Sequence, residues 1–367
     1  MSKLEELIQQ YCPDGVEYKP LGEVCDIHKG VQFNKTDMKD EGSYPVINGG
    51  INPSGYVEVF NEQENTITIS QGGASAGYVN FIKTRFWLGA HCYAVKPTKQ
   101  VLNRYLYHFV KQNERTLQQC QYGAGIPALA KATIINLSIP VPPLPVQEEI
   151  VRILDTFAEL QAELQAELQK RLQQYNYYRD NLLSFEGRTD VEWKKLGDVC
   201  DIRRGIRVVK KQLNDNGIYP VFQNSIPPMG YYDQYNREGN IPYIICAGSS
   251  SGSVGYCSSP FWAADDCFTI EGIQVNSRYA FHSLKKNNHR LFSQVRNGSM
   301  PRLPHDAIDN LIIPIPSLEE QERIANILDR FDKLTTDITA GLPAEIEARR
   351  KQYEYYRDQL LTFKQKA

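Results

Sequence analysis

The sequence predicts an α+β protein in which two similar domains of mixed strands and helices are separated by two long antiparallel coiled-coil helices, a pseudo-twofold tandem repeat. Three observations predict this fold. Matching landmarks recur along the 367 residues at a nearly constant shift. Strand-like segments alternate with helical ones inside each copy. Each copy then ends in a long helix with an apolar seam.

The duplication is visible at the edges of each copy. KPLGEVCDIHKG begins at Lys19 and KKLGDVCDIRRG begins at Lys194, a shift of 175 residues. IPVPPLPVQEEIVRILDTF begins at Ile139 and IPIPSLEEQERIANILDRF begins at Ile313, a shift of 174. QYNYYRDNLLSF at 174–185 returns as QYEYYRDQLLTF at 352–363. This period is too long for a solenoid and indicates two tandem domains, each followed by a helix.

The N-terminus suggests a cyclic arrangement. CPDGVEYKPLGEVC before copy one aligns with EGRTDVEWKKLGDVC before copy two, so the helical LEELIQQYC takes the place of RDNLLSF. The chain then begins part-way through the cycle of domain and helix, and closing the cycle brings both chain ends to one pole.

Both long helices carry a coiled-coil seam. In copy one, apolar residues spaced by three and four form it: Ile150, Ile153, Phe157, Leu160 and Leu164. In copy two the same spacing restarts at Ile324, and Gly341–Pro343 interrupts it. Proline suits the first turn of a new helix, so we expect a break there. Two apolar stripes in one chain are most simply buried against each other.

These signals divide the chain into five segments. They are an N-terminal helix and lead-in (1–18), a first domain (19–145), a central long helix (146–186), a second domain (187–318) and a C-terminal long helix (319–367) that is broken near 341–343.

Composition excludes several classes of protein. The net charge is −2 and charged residues make up 23% of the chain, so nucleic-acid binding would have to rest on local patches. No apolar run reaches the length of a membrane span, and the N-terminal segment has no signal-peptide pattern, which indicates a cytoplasmic protein. The eight cysteines include no Cys-x-x-Cys pair and predict reduced structural thiols without a metal site.

The layout resembles the specificity subunit of type I restriction–modification systems. The resemblance is carried by the domain starts LGEVCDI and LGDVCDI, by IPVPPLPVQEEIVRILD with its partner IPIPSLEEQERIANILD, and by the two YYRD helix ends. It implies that 19–145 and 187–318 are target-recognition domains, each reading half of a bipartite DNA site. The paired helices would set the unread gap between the two halves.

The resemblance also implies partners. Two modification subunits, which transfer methyl groups to adenine, would dock on the helices, and restriction subunits would join that core. S-adenosylmethionine, ATP and Mg²⁺ are then expected on those partners and no cofactor in this chain, which would be a non-catalytic subunit bound to double-stranded DNA.

Candidate DNA contacts in copy two come from two basic segments. RRGIRVVKK at 203–211 has five positive charges and no acid, and RNGSMPR at 296–302 adds two arginines to polar side chains. The candidates are Arg203, Arg204, Arg207, Lys210, Arg296, Asn297, Ser299 and Arg302.

Copy one is less basic. Its matching loops are HKGVQFNK at 28–35 and QYGAGIP at 121–127, with the candidates Lys29, Gln32, Asn34, Gln121 and Tyr122. The loops SQGGASAGY at 70–78 and AGSSSGSVGY at 247–256 could approach a sugar-phosphate backbone closely. The alternative for each of these residues is a solvated surface charge or an ordinary turn.

The repeated helix ends suggest docking surfaces for two copies of one partner. The candidates are Tyr175, Tyr178, Arg179, Tyr353, Tyr356 and Arg357. The alternative is that the tyrosines cap the coiled-coil seam, and both interpretations can hold together.

Other functions find less support. No P-loop and no Asn-Pro-Pro-Tyr or Asp-Pro-Pro-Tyr motif is present. DVEWK at 190–194 has the spacing of a nuclease core, but copy one replaces Asp190 with Gly15 while it keeps Glu17 and Lys19. The rival from another class is a coiled-coil scaffold that organises partner subunits without binding DNA.

Overall fold

Two compact units make up the protein. The computed structural model describes residues 2–123, 125, 127–214, 216–272, 274–337 and 340–366. The first unit contains Met1–Leu164 together with Ile346–Ala367, and the second contains Gln165–Glu345. The first unit therefore combines both ends of the chain, and the central long helix runs from one unit into the other.

The first unit opens with a helix and then alternates short strands and helices. Its elements are α1 (Lys3–Tyr11), β1 (Tyr18–Pro20), α2 (Leu21–Val24), β2 (Cys25–Lys29), β3 (Tyr44–Ile47), β4 (Tyr56–Val57), β5 (Thr66–Ser70), β6 (Val79–Ile82), β7 (Trp87–Leu88), β8 (Cys92–Pro97), α3 (Asn103–Gln112), α4 (Glu114–Gln119), α5 (Lys131–Ile135) and β9 (Ser138–Pro140). The long helix α6 (Leu144–Leu182) follows.

The second unit repeats this order. Its elements are β10 (Glu192–Lys195), α7 (Leu196–Val199), β11 (Cys200–Arg204), β12 (Tyr219–Phe222), β13 (Gly230–Tyr232), β14 (Ile241–Ile245), β15 (Val254–Cys257), β16 (Trp262–Ala263), β17 (Cys267–Gly272), α8 (Ser277–Lys286), α9 (Asn288–Ser293), α10 (His305–Asp309) and β18 (Ile312–Ile315). The helices α11 (Leu318–Thr336) and α12 (Leu342–Leu360) close the chain. The α+β repeat is confirmed.

Sheet topology is the same in both units. The first has an antiparallel four-stranded sheet in the order β2-β8-β5-β6, a three-stranded sheet β4-β3-β7 and a β1-β9 pair. The second has β11-β17-β14-β15, β13-β12-β16 and β10-β18. In each three-stranded sheet the central strand pairs antiparallel with one neighbour and parallel with the other.

The core of each unit lies between the four-stranded sheet and an amphipathic helix. All residues of β5 and of β14 are buried, as expected for central strands covered on both faces. In α3 the apolar face is buried through Leu106, Phe109 and Val110. The fully buried Tyr105 donates from its hydroxyl to the carbonyl oxygen of Pro140 (3.0 Å) and so satisfies its polar tip.

The long helices pack antiparallel inside each unit. In the first unit the rings of Phe157 on α6 and Tyr356 on α12 stack at 5.3 Å, while Gln161 lies beside Arg350 further back along α12. In the second unit Tyr178 on α6 stacks on Phe331 of α11, also at 5.3 Å. The seam predicted from three- and four-residue spacings is therefore an internal packing surface.

The second long helix is divided. α11 ends at Thr336 and α12 begins at Leu342, with Pro343 in its first turn. The missing N–H of proline costs nothing at that position, because first-turn N–H groups have no intrahelical acceptor. The backbone N–H of Gly341 still donates to the carbonyl oxygen of Asp337 (2.9 Å).

The chain ends differ from the sequence alignment. We expected α1 to take the place of RDNLLSF in the first unit, but the end of α12 takes that place. Leu361 is 2% exposed there, as its counterpart Leu183 is 1% exposed in the second unit. The backbone N–H of Val16 donates to the carbonyl oxygen of Lys364 (2.8 Å), which ties the lead-in to the C-terminal segment. Because the repeat is cyclic, a linear alignment leaves open whether α1 or the end of α12 occupies this place. Helix α1 is an element in addition to the repeated ones.

One ion pair is reversed between the units. In the first unit Lys96 on β8 lies 2.7 Å from Glu62, whose side chain is 6% exposed. At the matching positions of the second unit, Glu271 on β17 lies 3.6 Å from Arg237, whose side chain is 9% exposed. Acid and base have exchanged places on the same backbone, so the pair depends on complementary charge and not on a particular residue type.

This reversal predicts the result of a charge swap. Glu62→Arg places a second cation beside Lys96 and should lower the free energy of unfolding by about 2–4 kcal/mol. Adding Lys96→Glu recreates the polarity of the second unit and should recover at least half of that loss. Recovery should be incomplete, because Arg237 also donates to the hydroxyl of Thr269 (2.7 Å), where the first unit has Ala94.

Urea unfolding of the single and double variants measures both effects. The reciprocal Arg237→Glu/Glu271→Lys pair is the matched control in the second unit. A double variant as unstable as Glu62→Arg alone would contradict the interpretation.

Candidate nucleic-acid interface

Each unit holds a short hairpin against its glycine-rich loop. In the second unit the hairpin is closed by backbone hydrogen bonds in both directions between Arg296 and Arg302 (2.9 and 3.1 Å). The N–H of Gly248 and the hydroxyl of Ser251, both in the Gly/Ser loop, donate to the carbonyl oxygen of Pro301 (2.9 Å each). The two segments that the sequence singled out separately therefore form one surface.

The first unit repeats this backbone. Tyr122 and Ala128 exchange two backbone hydrogen bonds of 2.9 Å, and the N–H of Gly73 donates to the carbonyl oxygen of Pro127 (2.9 Å). Gly73 has φ +82° and its counterpart Gly248 has φ +88°, a region that favours glycine. Ala124 and Ile126, which fall between Tyr122 and Ala128 in the sequence, lie outside the described residues.

The hairpin of the second unit is rich in positive charge. Arg302 lies 3.6 Å from Asp266, and its side chain is 52% exposed. Arg204, at the end of β11, donates from Nε to the backbone carbonyl of Asp265 (2.7 Å). Burial and the nearby Asp266 raise the pKa of Cys246 while Arg204 and Arg302 lower it, and the net result is a pKa of about 11. Arg204, Asp266 and Arg302 are therefore all close enough to the Cys246 thiol to affect its pKa.

The remaining candidates of the second unit divide into two groups. Arg207, Asn297 and Ser299 are exposed on loops, and Lys210 is exposed at the start of a short 3-10 helix (Lys210–Gln212). Arg203 has a different environment. It lies 2.5 Å from Asp201 and 3.5 Å from Glu271, the carboxylate that also pairs with Arg237. Two carboxylates already offset its charge, so its contact with DNA stays a prediction with less support from geometry than that of its neighbour Arg204.

Candidates in the first unit are mostly polar and exposed. Tyr122 is 57% exposed on the hairpin, and Gln121 donates from its amide to the carbonyl oxygen of Ala76 (2.6 Å), which ties the hairpin to the glycine-rich loop. Lys29 ends β2, in the position that Arg204 has in the second unit. Gln32 and Asn34 are exposed and bond only locally, to Phe33 and Asp37 respectively, in the described part of the chain.

The tyrosines at the helix ends have two different environments. Tyr175 is 7% exposed and shares a hydrogen bond with His282 (3.1 Å), and Tyr353 does the same with His108 (2.9 Å). These contacts are those of the packing alternative. Tyr178 and Tyr356 stack within the seam yet keep 44% and 39% of their surface exposed. Docking by these two residues stays a prediction.

Arginines flank Tyr175 and Tyr353, the two tyrosines that are bonded to histidines. Arg179 lies 5.5 Å from the ring centre of Tyr175, and Arg357 lies 5.7 Å from that of Tyr353. Each also pairs with the aspartate that follows it, at 2.9 Å in both units. The neighbouring Tyr177 and Tyr355, which the sequence analysis did not select, are 66% and 62% exposed. Their exposure and their repetition make them the more accessible pair.

A buried polar chain links each domain to the long helices. In the first unit the ring of His108, which is 0% exposed, lies between the hydroxyl of Tyr353 and a carboxylate oxygen of Asp155 (2.8 Å), which also pairs with Arg104. In the second unit His282, also 0% exposed, occupies the same position with equivalent partners, namely Tyr175, Asp329 and Arg278. No local pattern in the sequence indicated this chain, although its residues recur at nearly the repeat shift.

The protonation states follow from these contacts. Burial lowers the pKa of His108 and of His282, although the neighbouring aspartates oppose the shift. Hydrogen bonds from His108 and Arg104 outweigh burial at Asp155 and lower the pKa of its carboxyl to about 2. A neutral imidazole then donates one N–H to the carboxylate and accepts from the tyrosine hydroxyl, which satisfies both ring nitrogens.

Two buried glutamines complete the attachment. Gln147, in the first turn of α6, is 0% exposed; it accepts from the backbone N–H of Leu102 (2.8 Å) and donates to the carbonyl oxygen of Pro142 (2.7 Å). Gln321 in α11 makes the equivalent contacts with Asn276 and Pro316 (both 2.9 Å). The glutamine of each VQEE or EQER segment thus joins the start of a long helix to its domain.

The nuclease-like residues are paired with their own neighbours. Glu192 lies 2.7 Å from Lys194, and Asp190 lies 2.5 Å from Arg188. The two carboxylates therefore each have a cationic partner. Of the helices in the described ranges, none combines the length and the apolarity that crossing a membrane requires.

Fold and interface together define a class of protein: two copies of one recognition domain, each presenting a hairpin with its own side chains and each attached to paired long helices. The family model described as the type I restriction modification DNA specificity domain matches residues 13–174 and 189–348. The chain therefore belongs to this family, with two such domains, as a non-catalytic specificity subunit that recognises the DNA target of a type I restriction–modification system. The scaffold alternative loses its basis.

Full-length relatives agree with this assignment. A putative type I restriction enzyme specificity subunit from Haemophilus influenzae is 32% identical, covering 95% of this chain and 96% of the relative. The EcoR124I/EcoR124II specificity subunit from Escherichia coli is 30% identical, covering 99% and 97%. The crystal structure of a type I S subunit from M. genitalium has the same fold, with a TM-score of 0.72, 19% identity and coverage of 95% and 96%.

The buried histidines predict a pH dependence of stability. Their pKa values are lowered in the folded state, so an unfolded chain takes up protons first as the pH falls through about 6.5. Stability should therefore be complete above that pH and decrease below it. Asp155 acts in a separate range, because its lowered pKa removes stability only below about pH 4.

Urea unfolding at about pH 7.5 and about pH 5.5 measures this effect. The difference between the two free energies of unfolding should shrink in His108→Gln/His282→Gln. Replacing His289, an exposed histidine, by Gln is the control and should leave the difference unchanged. An undiminished difference in the double variant would contradict the assignment.

Proposed function

We propose that each unit reads one half of a bipartite DNA site and that the long helices determine the length of the unread gap. One observation carries the proposal: the same clamped hairpin occurs in both units with different side chains, Tyr122 and Ala128 in one and Arg296 and Arg302 in the other. Sequence readout needs donors and acceptors on a rigid support, and both hairpins are held by backbone hydrogen bonds.

The segments follow as part of this proposal. Residues 19–145 and 187–318 are the two target-recognition domains, and 146–186 and 319–367 are the spacer helices, after a lead-in at 1–18. The basic and polar loop residues contact DNA, with Arg204, Arg296 and Arg302 in the leading positions. Two related domains with different loop side chains can recognise two different half-sites.

Partners follow from the repeated helix ends. Two modification subunits dock on the exposed tyrosines of α6 and α12 and bring S-adenosylmethionine, while restriction subunits bring ATP and Mg²⁺. A subunit with two equivalent surfaces binds two copies of the same partner. A solved chain from work on the assembly of a type I restriction–modification system has the same fold, with a TM-score of 0.50 and 15% identity. The complex acts in the cytoplasm, on the DNA of the cell.

DNA binding by the complex with modification subunits is the direct test. We expect a duplex with both half-sites to bind far more tightly than one with a single half-site, with an affinity that falls steeply as salt rises. The target itself is first mapped from methylated adenines in a host that carries the complete system. Equal affinity for single and paired half-sites would contradict bipartite reading.

Lengthening the spacer tests the role of the helices. Inserting Ala-Glu-Leu-Gln after Gln165 repeats the local sequence and adds about 6 Å of helix. Because four residues nearly complete a helical turn, the seam stays in register, and the unread gap should widen by about one or two base pairs. Both half-sites should stay the same.

A two-residue insertion at the same point is the control. It rotates the following helix by about 200°, which turns the seam away from its partner, so target methylation should be lost and not shifted. Altered half-sites at a constant gap in the four-residue variant would show that the helices do not determine spacing.

A further inference from the structure

The two hairpins share a backbone but present opposite chemistry. Arg296 and Arg302 are direct cross-strand partners, so their side chains leave the same face of the hairpin. At the equivalent positions the first unit has Tyr122 and Ala128, again as direct partners. The closing and anchoring hydrogen bonds run through backbone atoms in both units, so the side chains can differ while the hairpin does not.

The arginine pair is short of negative charge. Two like charges directly opposite each other destabilise a strand pair. In the described part of the chain, Asp266 is the single carboxylate within ion-pair distance of either arginine, and it lies 3.6 Å from Arg302. Arg204 adds a third guanidinium, whose recorded hydrogen bond goes to a backbone carbonyl. Such a group of exposed cations on a rigid support is suited to a ligand rich in acceptors.

Guanine supplies the matching acceptors. Its N7 and O6 lie side by side in the major groove, and a guanidinium binds both at once. The hairpin of the first unit has no guanidinium at this pair and instead offers an aromatic ring and a methyl group. Apolar contact of that kind is used to recognise the methyl group of thymine. Equivalent positions therefore present chemistry suited to different bases.

We infer that the cross-strand pair at the base of each hairpin determines base identity in its half-site: Arg296 and Arg302 require guanine in the half-site of the second unit, and Tyr122 and Ala128 favour thymine in that of the first. This inference rests on the proposed half-site reading. It adds the residues, the position within each unit and the base that each pair selects.

Exchanging the pairs tests the inference. Arg296→Tyr/Arg302→Ala gives the second unit the side chains of the first, and Tyr122→Arg/Ala128→Arg does the reverse. Both variants keep residues that this backbone already accommodates, and their thermal unfolding is checked against the unchanged protein. Arg290→Gln, which removes a nearby cation outside the hairpin, is the matched control. Each variant is assembled with the modification subunits, and methylated adenines are mapped genome-wide.

The first variant should lose a guanine requirement, relaxing discrimination about ten- to a hundredfold at one or two positions of one half-site. The other half-site should stay unchanged, and the second variant should acquire a guanine preference there. A uniform drop in methylation at every site, with a smaller dependence of affinity on salt, would mean that the arginines contact only phosphates and would overturn the inference.

The control and the unchanged complex separate the remaining outcomes. Arg290→Gln should leave base preference intact, and an identical relaxation in this variant would overturn the role of the pair. If the unchanged complex methylates bipartite sites while neither exchange alters a base, the inference fails and the proposed function stands. If the unchanged complex shows no bipartite target, the proposed function itself fails.

Discussion

The buried chain of tyrosine, histidine, aspartate and arginine is the constraint on which each unit depends. His108 and His282 are completely buried, and each has a partner for both ring nitrogens. An unsatisfied polar group in such a place costs about 1–3 kcal/mol, so the long helices and the domain helix have one favourable arrangement. Gln147 and Gln321 add a second fixed point at the start of each long helix. These contacts attach each domain rigidly to the long helices, as a surface that recognises DNA requires.

Side chains differ between the two units, while the backbone arrangement that carries them is the same. The hairpins of the two units are closed by the same backbone bonds yet carry tyrosine and alanine in one and two arginines in the other. The ion pair Glu62–Lys96 appears with reversed polarity as Arg237–Glu271. In each case the folding requirement is met by backbone atoms or by charge complementarity, and neither depends on a particular side chain. One duplicated frame can therefore carry two different recognition surfaces.

The candidate interface was only partly readable from the sequence. Basic and glycine-rich segments were found because composition marks exposed loops, but nothing in the spacing showed that the hairpin and the glycine-rich loop touch. Arg203 and Arg204 are adjacent in a basic run, yet successive residues of a strand point to opposite faces, and only the first lies among carboxylates. Tyr175 and Tyr353 looked like docking residues, but Tyr175 is buried and Tyr353 is half-buried, and a histidine from the domain meets each of them.

The sequence alone determined the duplication, the apolar seams and the interruption near Pro343. These features follow from periodicity and from proline, which act locally along the chain. Tertiary structure decided the place of α12 in the first unit, the bonding of Tyr175 and Tyr353 to buried histidines, and the contact between hairpin and glycine-rich loop. Each depends on which distant segments meet, and the Val16–Lys364 and Tyr353–His108 contacts connect residues that are hundreds of positions apart. Local patterns carry no record of such partners.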